Sequence, residues 1–147
     1  MSKNKKLTLS EIKKIDAKSF SGKKDVIIKG YSLTIDEVFR PTKIQELISE
    51  FIDKQLYIVE NEIQFDQWLE YTLLLMIKHF TSLQIPDSFA EQIATWQLLI
   101  DNDLFADIVN NINQEEIKKM FNLIQAATDV PDRLAEEIVA KAVPKVE

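Results

Sequence analysis

Residues 65–80 read FDQWLEYTLLLMIKHF, and the centre of that stretch runs Leu73-Leu74-Leu75-Met76-Ile77 without a polar break. Wound as a helix, successive residues turn by about 100°, so these side chains cover every side and leave no wide polar face for water. The polar members Asp66, Gln67, Glu70, Lys78 and His79 sit toward the two ends. A membrane span needs about 20 apolar residues, and this run is shorter and carries charges. It is predicted to be the central helix of a bundle, over about 64–82, with neighbouring helices packed around it.

Those neighbours can be read on both sides. Upstream, Arg40-Pro41-Thr42 marks a helix entry, because proline fits the first turn of a helix and pushes the residue before it out of the α region. From Thr42 to about Val59, the residues Ile44, Leu47, Ile48, Phe51 and Ile52 recur at helical spacing and form a stripe that ends at Gln55. Downstream, Pro86 with Asp87 or Ser88 opens a helix to about Ile100, with Phe89, Ile93, Trp96, Leu99 and Ile100 facing inward. Asp101-Asn102-Asp103 breaks it and is expected to cap a short helix over Leu104–Ile112. Asn113 to Glu116 approaches a capping box and opens another to about Thr128, burying Ile117, Met120, Phe121 and Ile124. After Pro131 a last, weakly apolar helix is expected over about Asp132–Ala142.

The period changes near the start of the chain. Val26-Ile27-Ile28 and Leu33-Thr34-Ile35 are β-rich runs flanking a turn expected at Gly30-Tyr31. Val26 and Ile28 share one face of the first strand, and Leu33 and Ile35 one face of the second. Such a hairpin is marginal alone, so it must lie on the helical body or pair with another chain. Before it, Thr8-Leu9-Ser10-Glu11 has capping-box form and predicts a short helix over about Leu9–Lys14, then a flexible link over Ser19–Lys24. The expected fold is mainly α: an N-terminal β-hairpin followed by a compact bundle of about five to six helices. Residues 1–23 are read as a basic, largely flexible leader. Residues 24–147 are read as a single domain, with the hairpin at about 25–37 and the helical body at about 42–142.

Composition narrows the function classes. At 147 residues, 46% hydrophobic and 29% charged, the chain has the balance of one globular domain. It contains no cysteine, which excludes disulfides, zinc–thiolate sites, iron–sulfur clusters and thiol nucleophiles together. Residues 1–29 hold nine lysines against three acids, a net of +6, whereas residues 30–147 hold nine cations against 21 acids, a net of −12. An acidic body repels phosphate backbones, so nucleic acid is not an expected partner of the domain; only the basic leader could touch it. No apolar run of signal-peptide length follows the basic start, so a cytoplasmic protein without a membrane partner is the default.

No catalytic motif stands out. His79 is the single histidine, and its place at the end of an apolar helix suits an interaction with the last helix carbonyls. Around Asp101, a calcium loop would require an oxygen ligand at 105, glycine at 106 and glutamate at 112; the chain has Phe105, Ala106 and Ile112. Glu115-Glu116 and Glu136-Glu137 are adjacent on helices and point apart, unlike the facing carboxylates of a glycosidase. Gly22 and Gly30 cannot make a phosphate loop, and no serine has nucleophile-elbow context. An enzyme is not expected, nor are catalytic, metal or cofactor-binding residues. The aromatic residues are expected mainly in the core, but Trp68, Tyr71, Leu75 and Trp96 are candidates for a face left uncovered, where a partner helix could bind.

The segment from Lys29 to Ile44, KGYSLTIDEVFRPTKI, together with a lysine-rich leader, a hairpin and an acidic helical body, resembles the tail assembly chaperones of long-tailed phages and prophages of Gram-positive bacteria. The resemblance implies binding rather than catalysis. Such a chaperone coats the tape measure protein, a long apolar-striped helical chain, and keeps it soluble in the host cytoplasm until the tail tube forms. It also implies a homo-oligomer and no cofactor. Two other readings fit the same sequence: a connector or tail-completion protein of the phage particle, and a regulatory protein that uses its basic leader on nucleic acid.

Overall fold

A computed structural model describes residues 5–127. The order is α1 (Leu9–Phe20), β1 (Lys23–Ile28), β2 (Tyr31–Asp36), α2 (Pro41–Glu60), α3 (Trp68–Phe80), α4 (Phe89–Asp101), α5 (Phe105–Asn110) and α6 over 114–127. The expected architecture, a hairpin followed by helices, is the one observed. The helix expected over 132–142 lies outside the described residues.

α3 is the centre. Tyr71, Thr72, Leu74, Leu75, Met76, Ile77 and Phe80 are all buried, and α2, α4 and α5 pack around them. Burial of each large apolar side chain stabilises by roughly 1.5–3 kcal/mol, so this one helix supplies much of the driving force for the fold. It starts later than its composition suggests. Phe65 stays outside the helix and sets its ring edge-on to Trp68, 4.8 Å away.

Two helices end the same way. At the end of α2, Glu62 takes φ 53°, its N–H donates to the Val59 carbonyl, and the Ile63 N–H donates to Ile58 (3.0 Å). At the end of α4, Asp103 takes φ 58°, its N–H donates to Ile100, and the Leu104 N–H donates to Leu99 (2.8 Å). Both are Schellman closures, in which a left-handed residue lets two amides satisfy otherwise orphaned carbonyls. Asn61 and Asn102 add side-chain bonds to Tyr57 and Leu98. The Asp101–Asp103 triplet therefore terminates α4 and does not cap α5, whose N-cap Leu104 makes no side-chain bond. Ser88, not Asp87, caps α4 by accepting from the Glu91 N–H.

The strands pair antiparallel with Val26 opposite Leu33 and Ile28 opposite Tyr31. Ile28, Leu33 and Ile35 are buried, as the alternation requires, while Ile27 faces out. The turn is centred on Lys29-Gly30, one residue earlier than expected. Both residues have positive φ (51° and 86°), the signature of a type I′ turn that matches strand twist, and Tyr31 belongs to β2. The hairpin lies on the helical body: Thr34 exchanges hydrogen bonds with Ser82, and Ile35 bridges to Thr81 at the end of α3. Lysine is a poor occupant of the first turn position, and glycine is the natural one for the second. Lys29→Asn is expected to stabilise by about 0.5–1 kcal/mol and Gly30→Ala to destabilise by about 1 kcal/mol. Urea denaturation should move the midpoint in those opposite directions; equal shifts would contradict the turn assignment.

α1 runs six residues beyond the short helix expected, ending at Phe20, and only Ser21 and Gly22 separate it from β1. Thr8 caps it by accepting from the Glu11 N–H (3.2 Å). The helix touches the body at Arg40, whose guanidinium pairs with Asp16 and lies over the Phe20 ring.

Candidate interaction surface

The four residues singled out from the sequence are not one surface. Tyr71 and Leu75 are 2% and 0% exposed, so they are core and present nothing to a partner. Trp68 and Trp96 are half-buried. Trp68 and Tyr71 do come together, with ring centroids 6.0 Å apart, inside an aromatic cluster completed by Phe51, Phe65 and Phe89. Most of these rings meet edge-to-face, the arrangement favoured by ring quadrupoles. Trp96 stacks edge-on to Phe105 instead, at 6.4 Å. Aromatic anchors serve cores and interfaces alike, and here they pin α2, α3 and α4 to one another.

Beside the cluster runs a polar network anchored on Glu50 of α2. Its carboxylate accepts from Lys78 Nζ (2.7 Å), Gln92 Nε2 (2.7 Å) and His79 Nε2 (2.8 Å), with Lys54 at 3.7 Å. An ionised carboxylate only accepts, so His79 carries a proton on Nε2. Gln92, fully buried on α4, also donates to the Pro86 carbonyl and accepts from the Tyr71 hydroxyl (2.5 Å). Burial pushes the Glu50 carboxyl up, but the bonds from His79, Lys78 and Gln92 outweigh it and lower its pKa from the ordinary 4.5 to about 2. Burial, reinforced by the Glu50 charge, pushes the Tyr71 phenol up. Burial pushes the Lys78 ammonium down, yet its bonds to Asp87 and Glu50 raise it on balance. His79 therefore binds Glu50 and not the carbonyls at the end of its own helix. Every member of this network is spent on another member, which makes it a clamp across three helices. Among the described residues, no three His, Asp or Glu side chains are grouped to hold a metal ion.

On the helical body, two apolar surfaces stand out among the described residues. The first is the outer side of the C-terminal half of α2, where Ile52, Leu56 and Val59 are exposed at steps of four and three residues, hence on one face. Ile52 was expected inside; Ile58 takes that place because the run Leu56-Tyr57-Ile58-Val59 is apolar on all sides and only one of its faces meets the body. That all-round run was the available sequence signal for an exposed patch. The second is a groove of about 310 Å³ between the hairpin tip and α4–α5, lined by Ile28, Tyr31, Leu33, Leu83, Leu99, Leu104 and Ile108. Nothing local marks it, since it joins residues from four separate segments.

A match to the YomO family runs over residues 9–144. The chain belongs to that family. It is similar to the SPbeta prophage-derived uncharacterized protein YomO of Bacillus subtilis (strain 168), being 25% identical over 141 residues that cover 92% of this chain and 81% of that one. No solved structure matches. The family is thus a prophage-associated one, in line with the phage character expected from the sequence. No helix among the described residues is long and apolar enough to cross a membrane.

Proposed function

We propose that this YomO-family chain acts by binding, as a tail assembly chaperone that holds the tape measure protein soluble in the cytoplasm of the bacterial host. The observation that carries the reading is the exposed Ile52–Leu56–Val59 row on α2. It offers an apolar strip at helical spacing to an amphipathic client helix, which would dock by the same i, i+3, i+4 matching that packs helices in cores. The prophage setting supplies the context, since tail assembly needs a long apolar-striped chain kept from aggregating. The acidic body, net −12 over residues 30–147, keeps a client-loaded complex soluble by mutual repulsion.

The test is co-expression with the tape measure protein of the same prophage, reading how much client stays in the soluble fraction. The wild-type chain should raise that fraction several-fold. Ile52→Asp/Leu56→Asp should return the client to the pellet while leaving circular dichroism and melting unchanged, because both side chains are exposed. A client indifferent to the chain, or equally soluble with the double variant, would defeat the proposal. So would finding the chain as a stoichiometric component of purified particles, which is what a connector or completion protein would do.

A further inference from the structure

α1 is an amphipathic helix whose apolar side has no partner among the described residues. Leu9, Ile12 and Ile15 recur at three-residue steps and are 67%, 46% and 57% exposed, and none of the twelve residues of the helix is buried. An isolated helix of this length is marginal in water, so its apolar side calls for a surface to lie on. The Arg40–Asp16 pair and the Arg40–Phe20 contact hold the C-terminal part of α1 at the base of the hairpin without covering that side.

The groove at the hairpin tip is the complementary surface. Its lining is apolar apart from Ser32 and the Tyr31 hydroxyl, and Tyr31 itself is 79% exposed. Charge matches on the α4–α5 side of the groove, opposite exposed Lys29 at the hairpin tip. Residues 5–20 hold five lysines against Glu11 and Asp16, whereas residues 79–117 hold seven acids and neither lysine nor arginine. Among those acids Asp101, Asp103 and Asp107 are exposed and flank the lining residues Leu99, Leu104 and Ile108 along the chain. A basic helix with an apolar side and an apolar groove with one acidic flank attract at long range and bury apolar surface at short range.

The two do not meet within one copy of the described structure, where Leu9, Ile12 and Ile15 all stay exposed. α1 joins the hairpin at Gly22, the base, and is tied there to Arg40, while the groove lies at the tip, about 20 Å away along a six-residue strand. We infer that α1 of one copy seats Leu9, Ile12 and Ile15 in the hairpin–α5 groove of a second copy. Donor and acceptor are different surfaces, so the contact is heterologous. It repeats from copy to copy into a ring or an open chain. The inference does not depend on any client, and it uses none of the α2 row.

The experiment measures the mass of the full chain by sedimentation at rising concentration. Wild type should exceed the 17.0 kDa monomer and fall back toward it in high salt. Ile12→Asp alters the helix, and Tyr31→Lys/Asp107→Lys alters the groove; all three positions are exposed, so each variant should melt like wild type. Each alone should weaken self-association roughly 30-fold or more. Mixed one to one, the two variants should form a dimer and stop there. The groove variant still has an intact helix and the helix variant still has an intact groove. A monomeric wild type, variants that still assemble, or a mixture that stays monomeric would each overturn the inference. Loss of tape measure binding in Ile12→Asp with a monomeric wild type would also overturn it, by assigning α1 to the client.

Discussion

Phe39→Ala is expected to lower the free energy of unfolding by about 3–5 kcal/mol, the range for removing a large aromatic ring from a packed core. Phe39 belongs to no helix or strand, yet it is completely buried. Its ring stacks on Phe80 with centroids 3.9 Å apart and planes 6° from parallel. Its backbone N–H donates to Glu116 Oε1 (2.7 Å), and its carbonyl accepts from Lys119 Nζ (3.0 Å). Glu116 and Lys119 are themselves paired at 2.6 Å. One residue at the corner between hairpin and α2 thus joins the end of α3 to α6. Truncation leaves a cavity against Phe80 and loosens the backbone bonds that tie the corner to α6. Urea unfolding should show the midpoint falling with the slope unchanged, because the loss is of packing and not of compactness. Phe39→Leu, which keeps much of the volume, should lose less than half as much. A Phe39→Ala loss below about 1 kcal/mol would show that the corner is held by its backbone bonds alone.

Phe39 also shows where reading the sequence stops. Helix periodicity is a local pattern, so the stripes of α2 and α6, the all-round apolarity of α3 and the alternating faces of the hairpin could all be read. The Thr8 cap was legible from its complete motif, whereas the sequence left Asp87 and Ser88 as alternatives for α4. The partners of Phe39 lie elsewhere: the bond from its N–H spans 77 residues, and the one from Gln92 to Glu50 spans 42. Gln92 reads as a solvent-facing residue of α4 until Glu50 and Tyr71 are placed beside it; its burial is matched by Ile100 facing out. The candidate surface fared worst. Trp68, Tyr71 and Trp96 have side chains that suit either a core or an interface, and only the placement of Phe51, Phe65 and Phe89 beside the first two, and of Phe105 beside Trp96, decides between them. The hairpin–α5 groove has no sequence signature, because its lining comes from segments that meet only on folding.

Glu50→Ala is expected to cost about 3–5 kcal/mol at neutral pH, more than most core truncations to alanine of similar size. The change leaves Lys78 with exposed Asp87 as its remaining partner and strands buried Gln92 Nε2 with only the Pro86 carbonyl. That cost measures unpaired charge and polarity left inside, not the net worth of the network over an apolar replacement. The acid limb separates the two effects. The folded state holds Glu50 near pH 2 while the unfolded chain protonates it near 4.5, so the unfolded state binds the proton first. The stabilisation is complete above about pH 4.5 and is lost as pH falls through about 2, amounting to about 3 kcal/mol over that window. Glu50→Gln keeps the shape, lacks the charge and should remove that part of the acid dependence. The difference between the wild-type and Glu50→Gln unfolding free energies should therefore shrink by about 3 kcal/mol between pH 5 and pH 2. Curves that stay parallel across this range would mean that Glu50 titrates alike in both states, and that the hydrogen bonds from His79, Lys78 and Gln92 do not outweigh the burial of its charge.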